Sequence, residues 1–170
     1  AAAMPSRVVP AAAAREIAFP LHPISQLVAG RDTPANMSLF EAAIPPRSPG
    51  APPHVHAHED EIYYVLEGEY VFQLEDEIAV AGPGATVILP RGGLHANWNE
   101  GDAPARALTF VSQDTRFEFF FDEVAARVAA EGVRDPKGAA AIVGEIAAGM
   151  GVTIDMSRLA DRGKPFFGMG

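Results

Sequence analysis

From Ile24 to about Ser112 the chain moves between short apolar runs, rich in β-branched and aromatic residues, and punctuation by Gly, Pro, Asn and Asp. That pattern predicts strands over Ile24–Ala29, Asn36–Ile44, Ile62–Leu66, Tyr70–Leu74, Ile78–Val80, Thr86–Leu89, His95–Trp98 and Arg106–Val111. Between two of them, Glu67-Gly68-Glu69 reads as a hairpin turn, because glycine tolerates the positive φ that such turns need. This is the texture of an antiparallel sandwich or barrel, and barrel closure removes exposed strand edges.

The periodicity changes after Ser112. Apolar residues at Phe117, Phe120, Phe121, Val124 and Val128 are spaced for one face of a helix, with Asp114 or Thr115 as its N-cap. That face packs either against the barrel mouth or across a dimer interface. A second helix is predicted after Pro136, running through Ile142, Ile146 and Met150 to Gly149 and Gly151. Residues 4 to 23 carry four prolines and little periodicity, so they read as an irregular arm that hangs free or wraps another surface, with His22 as ordinary surface. The chain thus divides into an N-terminal arm over 1–23, a mainly β barrel over 24–112, and a helical C-terminal segment and tail over 113–170.

Composition narrows the partners. A length of 170 residues suits one domain, and 48% hydrophobic against 21% charged residues suits a globular one. The net charge of −9 repels a phosphate backbone, so nucleic acid is excluded as a partner. With no cysteine, disulfides and thiolate metal sites are out, any metal must take nitrogen and oxygen ligands, and a reducing cytoplasm fits. No apolar run approaches the ~18 residues of a membrane span, and Pro5, Pro10, Arg15 and Glu16 break up the alanine-rich start before a signal peptide could form. Ala1–Ala3 precede Met4 and read as a cloning remnant.

The candidate chemistry is concentrated in two segments, PPHVHAHEDE and PRGGLHANWN, which hold four of the five histidines. An extended backbone at residues 54–56 puts His54 and His56 on one face, a two-pronged grip on a metal. By the same alternation Glu61 shares a face with Tyr63 and Val65, while Ile62 and Tyr64 face the other way. An interior carboxylate beside two imidazoles makes sense as a ligand or a base, since alone it would cost several kcal/mol or stay protonated. His95, after a glycine-rich turn, completes a three-His, one-Glu set; Glu59 could replace Glu61 in another register. His58 lies at the edge, facing solvent or supporting a ligand.

These residues resemble the two motifs of the cupin superfamily. His54, His56, Glu61 and Gly68 fit the first, and Gly84, Pro90, Gly92, His95 and Asn99 fit the second at every position. The glycine that leads the first motif falls at Ser48, with Gly50 nearby. The resemblance implies a single-domain jelly-roll barrel holding one divalent transition metal ion (Fe, Mn, Ni, Co, Cu or Zn) on His54, His56, Glu61 and His95. Open positions would remain for water or substrate. It also implies that Gly84 and Gly92 make tight turns.

Among such proteins the chain is similar to the small, one-domain flavonol (quercetin) dioxygenases. That similarity implies a metal-dependent dioxygenase acting on an aromatic or enolic substrate, with dioxygen as co-substrate. The metal would bind an enol or phenol oxygen, and Glu61 would serve as ligand and base, its pKa raised toward neutrality by burial. The aromatics Phe40, Tyr63, Tyr64, Phe72, Trp98 and Phe110 read as barrel interior, favouring an apolar or aromatic small molecule, with Tyr63, Phe72, Asn97 and Phe110 as candidate substrate contacts. Two other readings fit the same residues: a metal-dependent cyclase or isomerase of polyketide-like or dicarbonyl substrates, and a non-catalytic, ligand-sensing protein. The arm and the phenylalanine-rich helix suggest a homodimer.

Overall fold

The computed structural model describes residues 4–114 and 116–170. Ala1–Ala3, and Thr115 as a candidate cap, lie outside the described residues. Twelve strands are present among them: β1 (Arg15–Ile17), β2 (Ile24–Val28), β3 (Ser38–Ile44), β4 (Ser48–Pro49), β5 (His54–His56), β6 (Asp60–Glu67), β7 (Tyr70–Leu74), β8 (Glu77–Ala81), β9 (Thr86–Leu89), β10 (His95–Asn99), β11 (Ala105–Ser112) and β12 (Val152–Ile154). They form two antiparallel sheets in a jelly roll, ordered β1-β2-β3-β11-β6-β9 and β12-β5-β10-β7-β8, with β4 paired to β10.

Alternation decides what the two sheets bury between them. Inward residues of both meet in one cluster that includes Ile44, Val65, Tyr70, Phe72, Leu89 and Ala107. Full burial of side chains this size stabilises by roughly 1.5–3 kcal/mol each. On β11 the odd residues are buried and the even ones half-buried. Phe110 therefore faces outward, in register with Leu39 on β3 and Ile62 on β6, and Ile62 pairs in turn with Ile88 on β9. This corrects the interior placement predicted for Phe110. Tyr64 is likewise exposed, because it shares the outward face of β6 with Ile62.

Trp98 is fully buried, but not between the sheets. With Val71 and Ala96 it packs outside the second sheet against Leu159 of the C-terminal segment. Gln73 pins that segment: its amide nitrogen donates to the carbonyls of Glu75 (2.9 Å) and Arg158 (2.8 Å), and its oxygen accepts from the Ala160 N–H (2.8 Å).

The two predicted helices are present as α1 (Phe120–Glu131), preceded by a 3-10 turn at Phe117–Phe119, and α2 (Pro136–Gly149). Asp135 caps α2 by accepting from the Gly138 N–H at 2.7 Å, and Pro136 stands where its missing N–H is not needed. The phenylalanine face of α1 packs against the mouth between the sheets, in one cluster with Ile17, Ile24 and Phe40. The sheets also run past the predicted limits of 24–112. β1 belongs to the supposed irregular arm, and β12 follows α2 to pair with β5. The turns at Gly68, Gly84 and Gly92 have φ of +68°, +85° and +85°, as the sequence predicts.

Candidate metal centre

Two neighbouring strands and one facing strand bring the ligand candidates together. His54 and His56 stand on the inner face of β5; His95, the first residue of β10, pairs with His54 in register. Glu61 comes from β6 of the other sheet, between Val111 on β11 and Leu89 on β9. The loop entering β10 is held at both ends: Gly92 donates its N–H to the His56 carbonyl (2.8 Å), and Glu75 accepts from the Leu94 N–H (2.7 Å). Asn99, which closes the second motif, is a clamp. Its amide donates to the carbonyls of Ile44, Pro45 and Ala103, and its oxygen accepts from the Gly101 N–H.

All four candidates are buried, with exposures of 8% for His54, 2% for His56, 4% for Glu61 and 3% for His95. One ligand atom from each lies within 4.8 Å of all the others. His54 directs Nδ1 at the Pro52 carbonyl (2.7 Å), and His56 directs Nδ1 at Glu59 Oε2 (3.0 Å). Nδ1 therefore carries a proton in both rings, which leaves Nε2 as the ligating nitrogen of each ring in its neutral form.

Nε2 of His56 is 2.8 Å from Glu61 Oε1, and Nε2 of His95 is 3.4 Å from Glu61 Oε2. These pairs are close in distance but not in hydrogen-bond geometry. Nε2 of His56 and both ring nitrogens of His95 have no hydrogen-bond partner although they are buried. Buried polar atoms are seldom left so. Three nitrogens and one carboxylate aimed at one point, with the rest of two rings tied back, fit a divalent transition metal ion.

Without an ion, the two histidines of β5 differ in charge. Burial, reinforced by the neighbouring His95 and His56, lowers the His54 pKa to about 3 and keeps that ring in the neutral, ligating form. Burial also works to lower His56, but Glu61 and Glu59 outweigh it and raise that ring to about 10. At Glu61 burial works to raise the pKa, and the facing His56 and His95 rings outweigh it, holding the carboxyl well below the usual carboxylate range. This corrects the predicted upward shift. Two imidazoles at contact distance are stronger than the desolvation of the carboxylate.

The other candidates separate. Tyr63 and Asn97 line a cavity of about 100 Å3 that reaches His54 and Glu61. Phe72 sits in the core behind that wall, at the edge of the Tyr63 ring (5.2 Å). His58 is exposed. The buried neighbour that orients a ligand is Glu59, because the chain turns between β5 and β6 and the strand alternation does not carry through residues 57–59.

Sequence reasoning missed the arm's share of the cavity wall: Phe19 and His22 close it together with Phe117, Phe120 and Phe121 of the predicted helical face. His22 is half-buried beside Phe19 (5.2 Å), and burial lowers its pKa. Phe117 stands edge-on to His56 at 4.7 Å. At Gly50 the chain passes tightly against β10: a Cβ there would fall 1.9 Å from Asn97 Oδ1. The missing glycine of the first motif is thus supplied two residues later than at Ser48.

A cupin domain model matches residues 40–111, which spans both motifs and the strands between them. The chain is similar to the solved structure of the TT1209 protein of Thermus thermophilus, at 34% identity, covering 45% of this chain and 71% of that one, with a TM-score of 0.42. The polyketide cyclase RemF of Streptomyces resistomycificus is 25% identical, with 64% and 80% covered and a TM-score of 0.54. An uncharacterised conserved protein with a double-stranded beta-helix domain from Klebsiella pneumoniae is 18% identical, with 65% and 93% covered and a TM-score of 0.53. A search of curated proteins gives no match.

Proposed function

We propose that this chain, which belongs to the cupin family, is a metal-dependent enzyme that takes a proton from an enolic or phenolic group of an apolar small molecule. One observation carries the reading: Glu61, a member of the four-ligand cluster, also lines the cavity walled by phenylalanines. Ligation and acid–base work therefore meet in one side chain.

His54, His56, Glu61 and His95 would hold the ion, which supplies Lewis acidity and so lowers the pKa of a nearby enol or phenol. That matters because Glu61, kept ionised by His56 and His95, is a ready but weak proton acceptor. Its two oxygens face different rings, so a proton taken on one leaves the other free to stay with its histidine. The phenyl rings exclude water and bind an apolar frame.

Two outcomes can follow the same proton transfer. Similarity to the RemF cyclase supports ring closure or isomerisation of a polyketide-like or dicarbonyl substrate without oxygen. The three-His, one-Glu donor set, which accepts redox-active ions, supports the dioxygenase as the second reading. An oxygen electrode separates them on protein loaded in turn with Fe, Mn, Co and Ni. Uptake with a flavonol selects the dioxygenase, whereas turnover of a dicarbonyl without uptake selects the cyclase. In either case Glu61→Gln should abolish turnover while the circular dichroism spectrum is kept. Unchanged turnover in that variant would remove Glu61 from the chemistry, and absence of turnover by the wild type would favour a ligand-sensing protein.

A further inference from the structure

Two of the three strands that carry ligand candidates place a polar, cavity-lining side chain two residues further along the same face. On β6 Glu61 is followed by Tyr63, and on β10 His95 is followed by Asn97. Thr109 stands opposite Tyr63 in register on β11 and also lines the cavity. At a rise of about 3.3 Å per residue, this second rung lies roughly 6.6 Å from the ligand rung.

The rung is built with a definite polarity. Asn97 Oδ1 accepts from the Ala51 N–H at 3.2 Å, which turns the amide nitrogen toward Tyr63, 3.5 Å from the hydroxyl oxygen. One N–H of that amide and the Tyr63 O–H remain to serve a molecule in the cavity. A phenol carries its proton at neutral pH, so the Tyr63 hydroxyl is a donor as well as an acceptor. No part of the metal centre uses these donors, and phenylalanines form much of the wall around them. Donors facing an apolar chamber discriminate strongly, because a ligand that lacks the matching oxygen leaves them unpaired.

We propose that Tyr63 and Asn97 form a second oxygen-binding point, so that the ligands of this cavity carry two oxygens on an apolar frame. One oxygen is placed at the His54–Glu61 end and the other at the Tyr63–Asn97 rung. This rests on the proposed function and narrows its substrate class to dioxygenated molecules such as diphenols, hydroxyketones and extended diketones.

The test uses the full chain loaded with Zn(II), which undergoes no redox chemistry. Dissociation constants are measured by titration calorimetry for 2-naphthol and 2,7-dihydroxynaphthalene, one frame with one or two oxygens. Wild type should bind the diol about tenfold more tightly, the worth of one well-placed hydrogen bond. Tyr63→Phe, which keeps the ring, should bring that ratio close to one. Equal constants in the wild type, or a ratio that survives in Tyr63→Phe, overturn the inference while binding of 2-naphthol leaves the proposed function standing. Binding of neither naphthol overturns both.

Discussion

The Nδ1 proton of His56 lies against Glu59 Oε2 at 3.0 Å, and both groups are buried. A carboxylate in that position fixes the ring's tautomer and raises its basicity as a ligand, an effect usually worth 10- to 100-fold in metal affinity. Glu59→Gln should therefore weaken metal binding by about that factor, read by competition against a chelator, with the fold intact by circular dichroism. An unchanged affinity would mean that packing alone orients His56. The residue pattern made His54, His56, Glu61 and His95 legible, because strand alternation and motif spacing both point to them. It left His58 open between solvent and support, and offered Glu59 only in place of Glu61, because alternation holds only within a strand; the turn from β5 to β6 leaves His58 exposed and Glu59 buried. Phe110 failed for the opposite reason: alternation does hold on β11, and it puts the ring outside.

Among the elements, strands of five residues or more were predicted nearly whole, since their apolar and polar positions repeat often enough to set a phase. β1, β4 and β12 have three residues or fewer, too short for any period, and exist because β2, β10 and β5 offer them an edge. The turn before α1 carries a titratable constraint. Asp114 accepts from the Glu118 N–H at 2.8 Å through Oδ1, while its Oδ2 is buried without a partner.

Burial, with Glu118 and Glu59 nearby, raises the Asp114 carboxyl to about 6. A carboxyl whose folded pKa stands above its unfolded one is most costly when ionised. The folded state thus loses stability as pH rises from the unfolded value through about 6, and recovers it on acidification. Asp114→Asn keeps an acceptor for Glu118 and removes the charge. It should stabilise the protein at pH 8 by at most on the order of 2–3 kcal/mol, with the difference vanishing near pH 4. A variant less stable than wild type at pH 8, by urea denaturation, would show that the charge is needed.

At the scale of the whole molecule, the architecture is two facing sheets that carry the ligands, closed at one mouth by α1 and by the arm residues Phe19 and His22. Fold class and the His54, His56, Glu61 and His95 cluster were readable because both are written in local patterns. The arm's share of the cavity wall was not, since it joins residues a hundred positions apart, such as Phe19 and Phe121, whose rings meet at 5.1 Å. No helix among the described residues is long and apolar enough to cross a membrane.

The central claim, one metal ion held by His54, His56, Glu61 and His95, is tested most directly by metal analysis of the purified wild type and His95→Ala after identical reconstitution. One equivalent per chain in the wild type and little in the variant is the predicted result. A full equivalent retained by His95→Ala, or none taken up by the wild type, would contradict it.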